Sequence, residues 1–287
     1  MGIASGPIVS NFESNPGHVG YYLVRKLVLI ELYHVRNNNV CGGLPARLAR
    51  VGLVILALAI IGAISAHPQS KTGAAAANTN SSSPLESVLT QIDSASAQFR
   101  NAEADFVWDQ YQKVVNETDT QKGKVYYRRI GKGETQMSAN IQSPDQKFLV
   151  FADGKVRLYQ PKIQQVNEYD AGKNREQFQS FLVLGFGGRG HDLPKQFDVK
   201  FGGYENVNGV KTAKLELSPK APNVKNMFNQ IVIWIDPARG ISLKQQFFEP
   251  SGDYRIANYS NIKLNVKVRD DVFKLHTSGS IKTVKGK

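Results

Sequence analysis

From Ala104 onward the chain breaks into short runs in which apolar residues recur at every second position, with turn residues between them. The clearest pair is KFLVFADGKVRLYQ, residues 147–160, where Asp153-Gly154 joins two strand-like runs. Glycine accepts the positive φ of a tight turn, so Asp-Gly between alternating apolar runs is the strongest short-range hairpin signal. Pro161 cannot donate to a ladder and stops the second run. Val156 and Leu158 share one face of that run, while Lys155, Arg157 and Tyr159 share the other. In the first run Phe148 and Val150 alternate with Leu149 and Phe151, so both faces are apolar.

The same period extends along the chain. ADFVWDQYQKVV (104–115) puts Phe106, Trp108, Gln110 and Gln112 on one face and Val107, Asp109, Tyr111 and Lys113 on the other. Further strands are expected at 122–130, 133–141 and 162–169, then at 195–201, 210–219, 229–236, 241–250 and 253–265, with 270–278 as the last. Two segments have helical period instead. Pro84 opens LESVLTQIDSASAQF, in which Leu85, Val88, Leu89, Ile92, Ala95 and Phe99 form one face; NREQFQSFLVLGF (174–186) carries Phe178, Phe181, Leu182 and Leu184. The expected fold is mainly β (α+β): one antiparallel sheet of ten or eleven strands. Two helices are too few to cover so wide a sheet if it stays flat, so it must curl into a half-barrel with a helical lid, 85–100 and 174–184, over its concave apolar face.

VGLVILALAIIGAISA, residues 51–66, has no charge, follows Arg47 and Arg50, and ends in small residues. That pattern over 47–66 describes a secretory signal peptide. Its 16 apolar-rich residues fall short of the roughly 20 that span a bilayer, and an uncleaved N-terminal anchor is the alternative. Residues 1–46 fit no export pattern and read as a start assigned too early, with initiation near Val40 or Leu44. HPQSKTGAAAANTNSSSP, 67–84, is small and polar, a flexible linker to a domain at 85–280. Cys41, the only cysteine, precedes the apolar run, which excludes a lipid anchor after it, and disulfides and thiol chemistry beyond it. Past residue 66 the chain has 31 basic and 22 acidic residues, net +9. Such a surface suits anionic membranes or acidic partners; no basic run interleaved with stacking aromatics points to nucleic acid.

Catalytic motifs fail on context. GFGGRG, 185–190, matches G-x-G-x-x-G, but a helix-like segment precedes it and His191-Asp192-Leu193-Pro194 follows, so it reads as a flexible loop. His67, His191 and His276 lack metal-ligand spacing, and no nucleophile elbow is present. The expectation is a non-enzyme with no cofactor and no metal. The side chains placed in a hydrophobic cavity and lid are Phe106, Trp108, Tyr126, Phe148, Val150, Val156, Leu158, Phe178, Leu182, Trp234 and Phe247.

Taken in order, the signal-type segment, AQFRNAEADFVWDQ, SPDQKFLVFADGKVRLYQPKIQQV, LELSPKAPN, IVIWIDPARGISLKQQFFEPSGD and NIKLNVKVRDDVFKL resemble the LolA-like outer-membrane lipoprotein carrier superfamily, over Leu85–His276. The resemblance implies a half-barrel with a helical lid that carries acyl chains of lipoproteins or lipids through the periplasm as a monomer. It further implies an inner-membrane lipoprotein-releasing transporter as donor and an outer-membrane acceptor. A sensor of envelope lipids or lipoproteins with the same fold, regulating a partner, is the alternative. One departure stands out: where many members carry Lys-Pro-x(3)-Arg before the hairpin, this chain reads Lys132–Met137 without the proline or the lid-tying arginine.

Overall fold

The computed structural model describes residues 83–131, 134–172, 181 and 184–286. The segments 1–46 and 47–66, the linker up to residue 82, and most of the second helical segment with Phe178 and Leu182 lie outside the described residues. Helix α1, Pro84–Gln98, begins where the sequence signals it: the Ser83 Oγ accepts the Glu86 N–H at 3.2 Å, and Pro84 occupies the first turn, where its missing N–H has no partner to lose. Val88, Leu89, Ile92 and Ser96 are its buried residues.

Twelve strands follow: β1 Asn101–Gln112, β2 Glu117–Arg129, β3 Thr135–Ser143, β4 Lys147–Ala152, β5 Lys155–Gln160, β6 Gln165–Asp170, β7 Phe197–Val207, β8 Val210–Pro219, β9 Gln230–Asp236, β10 Ile241–Phe248, β11 Tyr254–Leu264 and β12 Lys282–Gly286. Two single-turn helices, α2 Leu193–Gln196 and α3 Pro222–Lys225, sit between strands. All strands belong to one sheet in the order β12-β6-β5-β4-β3-β2-β1-β11-β10-β9-β8-β7. It is a curled, unclosed half-barrel built from two meanders, β1–β6 and β7–β11, joined where β1 pairs with β11.

The tail departs from expectation. Residues 270–278 are not a strand; Asp270–Phe273 form a 3₁₀ turn that packs on β3 and β4, and the last strand, β12, pairs in parallel with β6. Arg128 fixes the crossing: its guanidinium lies 4.3 Å from the Phe273 ring centre and pairs with Asp270. Arg128 alternates with the core residue Tyr127, so the tail crosses the face away from α1. This explains why β4 is apolar on both faces. Its Leu149 and Phe151 face the core, and the outer face that carries Phe148 and Val150 is the one this segment packs on.

Cross-strand register defines the other, covered face. Ala102, Ala104 and Phe106 of β1 adjoin Tyr127 and Val125 of β2, then Met137 and Ala139, Leu149 and Phe151, and Val156 and Leu158. Beyond β11, with Ala257 and Tyr259, the same face continues through Gln245 and Phe247 to Ile231, Ile233 and Ile235, then Leu217, Leu215 and Ala213. One cluster joins most of these residues, though not Leu158 or Gln245, to Val88, Ile92 and Phe99 of the helix region. The opposite face is largely charged: Lys124 bonds Asp105 at 2.6 Å, and Arg157 bonds Glu168 at 2.8 Å.

Candidate ligand-binding face

What covers the apolar face is held by few polar contacts. The GFGGRG segment is a packed plug and not a flexible loop: Phe186 is fully buried, stacked on Tyr127 at 4.3 Å and edge-on to Tyr259 at 4.9 Å. Glycines are required by closeness. A Cβ on Gly187, whose φ is +79°, would lie 2.3 Å from the Phe99 ring, and one on Gly190 would lie 2.3 Å from the Leu89 carbonyl oxygen.

Three side chains tie α1, the plug and the sheet together. Arg129, at the end of β2, donates to the Ser96 carbonyl at 2.8 Å, to Ser96 Oγ at 3.2 Å and to the Gly187 carbonyl at 2.5 Å. Ser96 Oγ also donates to Gly187 O at 2.7 Å. An arginine therefore does tie helix to plug, from a position three residues before the block at 132–137 that lacks one. Its fork of donors suits two oxygens at once, which a lysine cannot match. His191 is the second tie, with Nδ1 2.5 Å from Asp93 Oδ2 and Nε2 2.9 Å from Glu86 Oε1. The hydrogen bond that the ring donates to Glu86, then the one it donates to Asp93, raises the imidazole above its ordinary value. Burial works against ionisation of Asp93, yet the bonds and charge of His191 hold that carboxyl below its ordinary value. Gln245 is the third: its Nε2 donates to the Leu184 carbonyl at 2.5 Å.

A cavity of about 200 Å³ remains between α1, the plug, α2, β7 and β9. Ile92, Leu184, Leu193, Phe197, Ile233 and Ile235 supply its apolar wall, with Arg189, Asp192 and Lys195 as its charged lining. That is smaller than the roughly 300–1,000 Å³ of pockets that hold drug-sized ligands. Anything much larger than the cavity needs α1 and the plug to part from the sheet.

The side chains singled out by sequence divide between two faces. Phe106, Trp108, Val156, Leu158 and Phe247 share the covered face, with Trp108 and Phe247 still partly exposed. Register places Phe148 opposite Tyr159 and Val150 opposite Arg157, Tyr126 opposite Ser138 and Glu103, and Trp234 opposite Lys214 and Lys244, all on the outer face. The grouping of these four with Val156 and Leu158 is corrected accordingly. Trp234 is buried there by lysines, 4.4 Å from Lys244 Nζ and 5.6 Å from Lys214 Nζ to the ring centre, and its Nε1 donates to Glu205 at 2.7 Å. That bond, then the Lys214 bond, lowers the Glu205 carboxyl. None of the nine that are described lines the 200 Å³ cavity. The residues that do were legible in part: the unbroken apolar run QIVIWID marks a strand buried on both faces, whereas Leu184, Leu193 and Phe197 carry no such signal.

A single curled, unclosed sheet with one apolar face under a helix and a tied plug is a mainly β half-barrel of the LolA-like kind. The model of the family described as "Outer membrane lipoprotein carrier protein LolA" matches residues 97–276, and the chain belongs to that family. Comparison with curated proteins by sequence finds no match. Among solved structures, the chain is similar to an uncharacterized conserved protein from Thermus thermophilus (12% identity, 69% of this chain and 97% of that one, TM-score 0.45). It is similar also to a putative outer membrane lipoprotein-sorting protein domain from Vibrio parahaemolyticus (14% identity, 66% and 97%, TM-score 0.37). The Pseudomonas aeruginosa MucA/MucB complex is a third (13% identity, 67% of this chain and 61% of that one, TM-score 0.42).

Proposed function

We propose that the domain is an exported carrier that shields acyl chains of lipoproteins or lipids on the covered face and moves them between the membranes of a bacterial envelope. The observation that carries this reading is the closure itself. A broad apolar face is capped by α1 and a glycine-rich plug held by a handful of hydrogen bonds: Arg129 ties both to the sheet, Gln245 and the Ser242 N–H tie the plug to the sheet, and His191 ties the plug to α1. Contacts of that kind separate at a cost of a few kcal/mol, which a ligand's differential affinity can supply. Export through the segment 47–66 and delivery from an inner-membrane transporter to an outer-membrane acceptor belong to the same proposal. Among the described residues no helix is long and apolar enough to cross a membrane.

Native mass spectrometry of the protein made in a bacterial envelope tests the reading. Co-purified lipid or acylated protein is expected. A protein that emerges empty and also fails to bind a fluorescent fatty acid overturns it. A stable stoichiometric protein partner, with no transfer of cargo between vesicles, converts the carrier into a regulator of the same fold.

A further inference from the structure

One donor on the covered face has no acceptor in full bonding geometry. Trp108 stacks on Phe106 with ring centres 4.0 Å apart, and its Nε1 is buried without a hydrogen-bond partner among the described residues. The indole N–H acts on the ionisation of the Tyr259 hydroxyl as a hydrogen-bond donor, but the contact falls short of full bonding geometry, so the N–H is loosely held. Interiors rarely keep such a group, because a buried N–H that gives up water without gaining a partner loses the whole hydration energy.

The groups around it are engaged. Tyr259 donates to Gln245 Oε1 at 3.3 Å, and Gln245 donates to the Leu184 carbonyl of the plug. The Arg255 guanidinium lies 5.3 Å from the Phe247 ring centre, with the Glu249 carboxylate as its counter-charge. Charge there is balanced, so a free carboxylate would compete with Glu249. What the site lacks is a well-placed neutral acceptor, beside rings that are partly open on the same face.

We propose that the Trp108 indole N–H holds the carbonyl oxygen of an ester- or amide-linked acyl chain whose hydrocarbon lies along the covered face. An acyl carbonyl accepts strongly and brings no charge; esters are the linkage of lipids, and both esters and amides occur on acylated proteins. When the plug lifts, the Gln245 amide loses Leu184 and becomes a second donor beside the first. The inference rests on the acyl-carrier reading and adds the polar end of the ligand to it.

The chain has two tryptophans, and Trp234 is an internal control because its N–H is already bonded to Glu205. In the full chain labelled with ¹⁵N-tryptophan, methyl palmitate and N-methylpalmitamide should each move the Trp108 indole proton downfield and leave that of Trp234 in place. A ¹³C-labelled ester carbonyl should absorb at lower frequency when bound. Trp108→Phe keeps the stacked ring and should weaken the ester about 3–10-fold, the worth of one hydrogen bond, with affinity for hexadecane unchanged. Ester and amide that bind without moving the Trp108 signal, or an equal loss of ester and hydrocarbon in Trp108→Phe, overturn the inference alone. Wild-type protein that binds no acyl probe overturns the carrier reading with it.

Discussion

Two buried positions test what single side chains contribute. Leu158 is 7% exposed and lies opposite Leu149 and Asn167 on the covered face. If that face receives acyl chains, Leu158→Asn should bind a fluorescent fatty acid at least tenfold more weakly while the domain still unfolds cooperatively, because Asn167 across the strand and entering water can satisfy the new amide. Loss of the folded state, or unchanged binding, would remove Leu158 from the cavity wall. Lys147 is a liability of the opposite kind. Burial first, then the charge of Lys162, brings its ammonium down to about 8 from the ordinary 10.5. The unfolded chain therefore holds more protons than the folded one between those values, and stability should rise with pH across that window. Lys147→Met should gain roughly 1–3 kcal/mol at pH 7 and flatten the rise, as read by urea melts at pH 7 and pH 10.

At the scale of elements, the contact between α1 and the plug rests on backbone closeness. Gly190→Ala would press a methyl group on the Leu89 carbonyl, and overpacking of that kind costs about 1–3 kcal/mol. The expected result is faster hydrogen exchange in α1 with exchange in β8 and β9 unchanged. Arg129→Lys should do the same through lost donors; equal loosening of the whole sheet would mean that α1 is part of one cooperative core and not a lid. The sheet elements were largely legible: β8 spans 210–219 as its pattern shows, and the Asp153-Gly154 turn sits where alternation places it. The tail was not. KTVKG has no apolar alternation and pairs through its backbone at the edge of β6, with four of its five residues exposed, so nothing in its side chains announces a strand. Which face a residue occupies was legible only relative to its own strand. Val150 and Val156 look equivalent in sequence, and only the pairing of Phe151 with Val156 shows that they lie on opposite sides.

For the molecule as a whole, closure competes with loading, and His191 makes that competition depend on pH. Its imidazole is flanked by Glu86 and Asp93 of α1, with Arg189 and Asp192 beside it in the chain, and Arg189 approaches Asp93 at 3.9 Å. Its raised affinity for a proton means that the tie to α1 is fully present below the ordinary value of 6.5 and is lost as pH climbs through the higher folded value. Asp93 stays ionised across this range because its own value is lowered. The imidazole is substantially exposed, so the tie is modest and salt should weaken it. If α1 must part from the plug for a chain to enter, the rate of fatty-acid uptake should rise as pH goes from 6 to 8, and His191→Gln should make uptake fast and nearly flat over the same range. Stopped-flow fluorescence at low and high salt reads both. A pH-independent wild-type rate, or a variant that keeps the wild-type slope, would mean that chains reach the covered face by another route, past the partly open rings of Trp108 and Phe247.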